Sequence, residues 1–203
     1  MYTYTDIHFT RGEKKIDPII AEVNLLDFKK CMDQHTLTFG LIYGTLLGAI
    51  REKGFIAHDE DTDLFVLLED RKNILAILFD LRKSGFEVGR YNGELLTIVR
   101  DGEYIDLYFF RKQGFFNREC DGYVVPNHML TNPEPYQFLG TSFNVPKNPE
   151  KLLNKLYGEN WRVPDKNGST INYGFSLKSR IYIRDNLRPL FDLLSWTKHK
   201  IYA

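Results

Sequence analysis

Four acidic side chains stand within five positions, directly before an apolar stretch at 64–68: Asp59, Glu60, Asp61 and Asp63. In a strand, Asp61 and Asp63 would project from one face, about 7 Å apart along the chain. Two like charges at the start of a buried strand cost free energy unless a cation compensates them. Since hard divalent ions prefer oxygen ligands, the spacing predicts a Mg²⁺ or Mn²⁺ site. The alternative is a solvated acidic turn.

A third carboxylate, Asp106, interrupts the aromatic and aliphatic stretch 104–108. It could be an edge-strand residue facing water. It could equally lie beside the strand that Asp61 and Asp63 begin, giving three carboxylates around one or two ions that bridge phosphate oxygens. A calcium-binding EF-hand is excluded, because Leu64 would occupy the sixth position, where glycine is needed, and Asp70 the twelfth, where a bidentate Glu belongs.

A phosphate-binding element precedes the acidic cluster. Gly44 and Thr45 follow an apolar stretch at 39–43 and open a short helix, where backbone N–H groups and a hydroxyl can approach an anion. Arg51 and Lys53, in the same helical stretch, could neutralise a diphosphate. An ordinary strand-to-helix turn with solvated basic residues is the structural alternative.

The elements that must position these residues follow from periodicity and turn signals. Asp17 and Pro18 predict the start of a helix running toward Gln34. The remaining expected helices are 46–53, 70–84 and 149–158, and the expected strands are 39–43, 63–68, 86–91, 95–100 and 104–110. Asn92-Gly93 and Asp101-Gly102 predict hairpin turns between the last three strands, and 112–148 is expected to be mostly loop with short strands. This is a mixed α+β sheet.

Composition narrows the class of protein. The 203 residues carry 27 Lys+Arg and 27 Asp+Glu, and a formal net charge of zero argues against a nucleic-acid-binding protein. Two cysteines cannot form a disulfide scaffold, and the start of the sequence shows no signal peptide, so we expect a cytoplasmic protein. We expect one domain over 1–203, with 176–203 a basic and apolar helical extension. The extension could lie on the inner face of an anionic membrane or pack on the domain.

The string YGTLLGAIREKGFIAHDEDTDL resembles the signature of the LicD family, which also includes fukutin and the fukutin-related protein. The matching positions are Gly44-Thr45-Leu46-Leu47-Gly48-Ala49, Arg51, Gly54-Phe55-Ile56, Asp59, Asp61 and Asp63, and a later element with Tyr157-Gly158 and Trp161 also matches. Departures include Ala57-His58 where the family often has Pro-Trp. The resemblance implies an α+β nucleotidyltransferase (polymerase-beta-like) fold, with a mixed central sheet flanked by helices.

By that resemblance, the chain transfers a phospho-alcohol group, such as phosphocholine, from a CDP-activated donor to a hydroxyl of a cell-surface glycan or lipid-linked glycan, releasing CMP. Lipopolysaccharide, capsule and teichoic acid are the kinds of acceptor implied. Asp61 and Asp63 are then the metal ligands, and Asp106 is a third ligand or the general base. Gly44, Thr45 and Arg51 hold the diphosphate.

Lys53 and His58 could also contact phosphate, and Asp59 is a supporting acid. Two alternatives stay open on the residues. One is a nucleotidyltransferase that moves NMP from an NTP onto a protein, an RNA or a small molecule. The other is a non-catalytic module that keeps the fold, although retention of all three carboxylates argues against it. A metal-dependent glycosyltransferase fits poorly, because only about 60 residues precede its Asp-x-Asp motif.

Overall fold

The computed structural model describes residues 14–164, all within one compact unit. The helices are α1 (Pro18–Gln34), α2 (Tyr43–Arg51), α3 (Arg71–Ala76), α4 (Leu78–Lys83), α5 (Asn127–Thr131) and α6 (Pro149–Tyr157). The strands are β1 (Gly40–Leu41), β2 (Thr62–Leu67), β3 (Glu87–Tyr91), β4 (Leu95–Arg100), β5 (Glu103–Gln113), β6 (Asn117–Cys120), β7 (Tyr123–Pro126), β8 (Glu134–Phe138) and β9 (Thr141–Val145). A 3₁₀ turn spans Leu68–Asp70.

Seven strands form one mixed sheet in which β2 and β5 are parallel neighbours at the centre. The order β1-β2-β5-β4-β3 continues into β6 and β7, which extend the far end of β5, and all pairs other than β2 with β5 are antiparallel. β8 and β9 form a separate hairpin. Helix α1 packs against β5, and α2 packs against β2. The arrangement confirms the predicted mixed α+β sheet with flanking helices.

The first helix illustrates how local sequence sets an element. Asp17 adopts an extended conformation and its Oδ1 accepts hydrogen bonds from the backbone N–H groups of Ile19 (2.9 Å) and Ile20 (3.3 Å), while Pro18 occupies the first helical position. Leu25 and Phe28 are completely buried on the inner side. The predicted helix toward Gln34 is confirmed.

The central strand β2 is buried along most of its length, as its continuous apolar sequence predicted. Leu64, Phe65 and Val66 are each at most 1% exposed. Strands with helices or loops on both sides show this pattern rather than an alternation of polar and apolar residues. The burial places the acidic residues at the start of β2 against the core instead of in open solvent.

Three predicted elements differ from the structure. The strand expected over 39–43 is only two residues long, because Tyr43 adopts a positive φ of 47° and begins α2. The helix expected over 70–84 is divided at Ile77, which keeps Ile74, Ile77 and Leu81 all buried. The expectation of mostly loop over 112–148 was wrong, because four strands and a helix lie there. The predicted extension at 176–203 lies outside the described residues.

Within residues 14–164, no helix combines the length and the apolar character needed to cross a bilayer.

Candidate active site

A polar row crosses four adjacent strands of the sheet. In the strand register, Asp63 of β2 pairs with Asp106 of β5, Asp106 pairs with Thr97 of β4, and Thr97 pairs with Arg90 of β3. Residues directly opposite on neighbouring strands project from the same face. Asp63, Asp106 and Thr97 are buried, at 6%, 3% and 0% exposed. The predicted placement of Asp106 beside the strand of Asp63 is confirmed.

Asp106 is held at both carboxylate oxygens. The Thr97 hydroxyl donates a short hydrogen bond to Oδ1, and the Arg90 guanidinium donates to Oδ2 at 3.1 Å. Arg90 Nε also donates to Thr97 Oγ1 at 3.3 Å, so the three side chains form a closed set. An irregularity in β3 between Val88 and Arg90 sets the register that brings Arg90 opposite Thr97. Asp106 is therefore fixed in orientation.

Asp63 is held by the start of α2. The backbone N–H of Gly44 donates to Asp63 Oδ2 at 2.9 Å, and the backbone N–H of Asp63 donates to Thr45 Oγ1 at 2.8 Å. A Cβ at position 44 would lie 2.2 Å from Asp59 Oδ2 and 3.1 Å from Asp63 Oδ2, so only glycine allows this approach without displacing a carboxylate. In this structure Gly44 therefore binds the side-chain carboxylate of Asp63, and Thr45 binds the backbone N–H of Asp63.

Asp59 and Asp61 complete the acidic group from the loop before β2. The backbone N–H of Asp59 donates to the carbonyl of Ile56 at 2.9 Å, and Asp59 Oδ1 accepts from the N–H of Glu60 at 3.1 Å. This turn directs Asp59 toward Gly44. The negative charge of Asp106 raises the pKa of Asp61, so the two carboxyl groups act on each other electrostatically. We call Asp59, Asp61, Asp63 and Asp106 the acidic cluster.

The charge of the acidic cluster exceeds what nearby cations balance. Burial, together with the negative charges of Asp106, Asp59 and Glu60, raises the pKa of Asp61 to about 8 against the lowering effect of Arg90. Burial and the neighbouring carboxylates also raise the pKa of Asp63 well above its usual range. Desolvation raises the pKa of Asp59 and Asp106 as well, against opposing hydrogen bonds. A bound cation would favour the ionised form of each of these carboxyl groups.

The donor set suits a hard divalent cation. All donors are carboxylate oxygens, and the missing Cβ of Gly44 lets the carboxylates of Asp59 and Asp63 approach the start of α2 together. Across residues 14–164, no group of three or more His, Cys, Asp or Glu side chains has the arrangement of a preformed metal site. Cation binding would therefore require these side chains to rotate.

The two basic residues predicted to meet a diphosphate lie on a separate cleft. Arg51 is buried, its Nη1 donates to the carbonyl of Trp161 at 3.1 Å, and its Nε pairs with Glu52 at 2.7 Å. Lys53 Nζ donates to the hydroxyl of Tyr136 at 2.7 Å. Arg51 and Lys53 line a cleft of about 950 Å³ together with the start of α6. The structure does not place them in the polar row.

His58 and the tyrosines lie nearer the acidic cluster. His58 is exposed, and its charge lowers the pKa of Asp59. Burial first, and then the charges of Asp63 and Asp59, raise the pKa of the Tyr157 phenol well above its usual range, while Arg51 lowers it. Tyr157 at the end of α6 is therefore influenced by the charges of both the acidic cluster and Arg51.

Three further tyrosines pack beside Asp63. The Tyr43 ring lies 5.0 Å from that of Tyr108 and 5.2 Å from that of Tyr123, measured between ring centroids. Burial, with the charge of Asp63 among the lesser causes, raises the pKa of Tyr43 and Tyr108 well above the usual range. The buried Tyr43 hydroxyl has no hydrogen-bond partner among the described residues. Tyr43, Tyr108 and Tyr123 therefore form a packed aromatic group, and the charge of Asp63 acts on two of its members.

Sequence reasoning missed Arg90, Thr97 and the tyrosines as site residues. Thr97 could have been found, because a two-residue turn at Asp101-Gly102 pairs Arg100 with Glu103, and counting back along both strands sets Thr97 opposite Asp106. Arg90 could not be found in this way, since the irregularity in β3 changes the register.

The fold is that of a nucleotidyltransferase. A solved structure of ANT(2″)-Ia in complex with adenylyl-2″-tobramycin matches with a TM-score of 0.50, covering 90% of this chain and 98% of that chain at 15% identity. The chain belongs to the LicD family, described as LicD/FKTN/FKRP, nucleotidyltransferase domain, whose model matches residues 36–148. The predicted family and fold are both confirmed.

Two curated relatives are similar to this chain over part of their length. An uncharacterised protein of Rickettsia typhi is 26% identical over 140 residues, which are 66% of this chain and 44% of that protein. The lipopolysaccharide cholinephosphotransferase LicD of Haemophilus influenzae is 29% identical over 84 residues, covering 37% of this chain and 32% of that protein. The match thus spans less than half of either relative.

Proposed function

We propose that this chain catalyses metal-dependent transfer of a phospho-alcohol group, phosphocholine or a close relative, from a CDP-activated donor to a hydroxyl of a cell-surface glycan, releasing CMP. Membership of the LicD family and the similarity to a lipopolysaccharide cholinephosphotransferase support a transferase of this kind. The observation that carries the proposal is the buried pairing of Asp63 with Asp106 on adjacent strands, where Arg90 pairs with Asp106 while burial and the neighbouring carboxylates raise the pKa of Asp63.

Asp61 and Asp63, with Asp106, would hold Mg²⁺ or Mn²⁺, which would supply positive charge to the phosphate oxygens. In the transfer, the acceptor oxygen forms a bond to the donor phosphorus while the bond from phosphorus to the CMP oxygen breaks. The proton of the acceptor hydroxyl passes to water, and CMP leaves as the anion. Gly44 and Thr45 keep Asp63 in place during this exchange through their two hydrogen bonds.

The hydrogen bonds to Asp106 favour the role of ligand over that of base. Both of its oxygens accept hydrogen bonds, from Thr97 and Arg90, and these bonds stabilise its ionised form. They oppose the rise in the pKa of Asp106 that burial causes, and they fix the positions of its oxygens, as a cation ligand requires.

The surroundings favour a cationic alcohol. Carboxylates and tyrosine ring faces both attract a quaternary ammonium group. The charge of Asp63 contributes to the raised pKa of Tyr43 and Tyr108, which form one packed aromatic group with Tyr123. We therefore expect choline or ethanolamine rather than the neutral glycerol or ribitol. Because Arg51 and Lys53 line a separate cleft, we propose His58, and Arg90 as a half-exposed guanidinium beside Asp106, as the contacts to the donor phosphates.

The test is CMP release from CDP-choline, CDP-ethanolamine, CDP-glycerol and CDP-ribitol with Mg²⁺ or Mn²⁺ and a crude glycan acceptor. Wild type is compared with Asp63→Ala, and CTP and ATP serve as controls. Release from a CDP-alcohol that is lost in Asp63→Ala supports the proposal. Pyrophosphate release from CTP or ATP, with no reaction of any CDP-alcohol, would instead establish an NMP-transferring enzyme.

A further inference from the structure

A short segment before α1 connects the start of β5 with the acidic loop. We call residues 14–17 the N-terminal strap. Glu103, the first residue of β5, is 5% exposed. Its carboxylate accepts a short hydrogen bond from Lys14 Nζ and another from the backbone N–H of Asp17 at 3.1 Å. The buried charge of Glu103 is thus compensated entirely by the strap in the described contacts.

The other side of the strap binds the loop that carries the acidic cluster. The backbone N–H of Ile16 donates to the carbonyl of Asp59 at 2.8 Å, and Lys14 Nζ donates to the carbonyl of Glu60 at 3.3 Å. The Lys14 ammonium also lies 4.6 Å from the centroid of the Tyr104 ring. Two successive carbonyls directly before Asp61 are therefore fixed from outside the loop.

The loop needs these external hydrogen bonds because its like charges repel one another and its backbone is irregular. Three successive acidic residues, Asp59, Glu60 and Asp61, place like charges side by side in this loop. The backbone between α2 and β2 is irregular, without a strand or helix ladder to hold it. Tertiary hydrogen bonds must therefore set the direction in which Asp61 enters the site.

The Glu103–Lys14 pair is also not explained by stability alone. Well-packed apolar residues in place of a buried ion pair are often neutral or stabilising, since desolvation offsets most of the attraction. Because this pair joins the start of β5 to the acidic loop, we expect its main effect to be on the position of the loop. We propose that Lys14 and Glu103 are positioning residues that hold the carbonyls of Asp59 and Glu60, and thereby align Asp61 and Asp63 for cation binding. The role in cation binding rests on the proposed function.

The test compares Lys14→Met and Glu103→Gln with a conservative Lys14→Arg variant in the full chain. Lys29→Met is the matched control, because Lys29 also forms a lysine–carboxylate pair, with Asp33 at 2.6 Å on α1. Two readouts are used: Mn²⁺ affinity by calorimetry, and amide hydrogen exchange of residues 56–63. We expect Lys14→Met to weaken Mn²⁺ binding about tenfold and to accelerate exchange in 56–63. Lys14→Arg should restore both, and Lys29→Met should change neither.

The outcomes separate the two proposals. Exchange in 56–63 that is equal in Lys14→Met and Lys29→Met would overturn the strap, whatever reaction the enzyme catalyses. Faster exchange in Lys14→Met with no release of CMP by wild type would keep the strap and overturn the proposed reaction. If Lys14→Met melts far below wild type, Mn²⁺ affinity and hydrogen exchange of Glu103→Gln test the proposal instead. This variant keeps the side-chain volume and an acceptor for the backbone N–H of Asp17.

Discussion

Two charged regions of this molecule are built in opposite ways. In one, Glu69 accepts two hydrogen bonds from the Arg118 guanidinium, at 2.8 and 3.0 Å, and Arg118 also donates to the carbonyl of Phe110 and to Asn127 Oδ1. Hydrogen bonding to Arg118 lowers the pKa of Glu69 to about 2. In the acidic cluster, by contrast, burial and like charges raise the pKa of Asp61 to about 8.

This difference in charge compensation distinguishes a structural ion pair from a candidate functional site. The Glu69–Arg118 pair carries its own counter-charge and needs nothing from solvent. The acidic cluster contains four carboxyl groups. Arg90 is the cation that lowers the pKa of two of them, Asp61 and Asp106. Strongly perturbed carboxylates that lack compensation mark functional sites more often than structural ones. The comparison can be tested by substitutions on each side.

The largest expected effect is on activity, from Asp63→Asn. The amide keeps an acceptor for the Gly44 N–H but removes the charge, so we expect CMP release to fall on the order of 10²–10³-fold while the fold persists. Steady-state assays with CDP-choline measure this. Asp33→Asn, at an exposed carboxylate on α1, is the control and should keep full activity. An Asp63→Asn variant within twofold of wild type would remove Asp63 from the machinery.

The next effect is on stability, from Arg118→Met. Removing the buried cation leaves Asn127 and the Phe110 carbonyl without their donor, so we expect the free energy of unfolding to fall by about 3 kcal/mol. Urea unfolding measures the loss, and Mn²⁺ affinity should be unchanged. Arg82→Met, which breaks the exposed pair with Glu87, should cost under about 1 kcal/mol. Equal losses in the two variants would contradict the assigned difference.

A smaller effect of opposite sign is expected for Asp61→Asn in the absence of metal. The folded pKa of Asp61 is raised from 3.8 to about 8, so the folded state holds a proton that the unfolded state has released. Metal-free wild type should therefore lose stability as pH rises from about 4 to about 8. Asp61→Asn should lose less and be the more stable protein at pH 8, by about 1 kcal/mol.

Urea unfolding with EDTA at pH 5 and pH 8 measures the Asp61 effect, and added Mn²⁺ should stabilise wild type but not the variant. If metal-free wild type is as stable at pH 8 as at pH 5, the acidic cluster is compensated after all.

The smallest effect concerns Glu69 at low pH. Its folded pKa is lowered from 4.5 to about 2, so it stabilises the fold above pH 4.5, and this contribution is lost as pH falls toward 2. Because the side chain is half exposed, solvent screening keeps the contribution below about 1 kcal/mol. Unfolding at pH 5 and pH 3 should show a smaller loss for Glu69→Gln than for wild type. Equal losses would place the acid sensitivity elsewhere.

Much of the acidic cluster could be predicted from the sequence because its carboxylates stand next to or within apolar stretches. Asp61 and Asp63 precede a continuous apolar strand, and Asp106 interrupts another. Gly44 was predicted to hold a diphosphate, which stays a prediction; in the structure its backbone N–H donates to the Asp63 carboxylate. Arg51 and Lys53 were grouped with the site because they follow Gly44 and Thr45 in the same helical stretch, although their side chains line a different cleft.

The sequence by itself determined the elements whose signals are local: the Asp17-Pro18 start of α1, the buried strand β2, the Asp101-Gly102 turn and the acidic positions. Local periodicity and turn residues act over a few residues, so they can be read along the chain. Tertiary structure alone decided that Arg90 lies opposite Thr97, that β6 and β7 continue β5, and that Lys14 reaches Glu103. Those contacts depend on strand register and on residues up to 89 apart in sequence. Such pairings are selected by the burial and charge balance of the whole sheet, which no local pattern encodes.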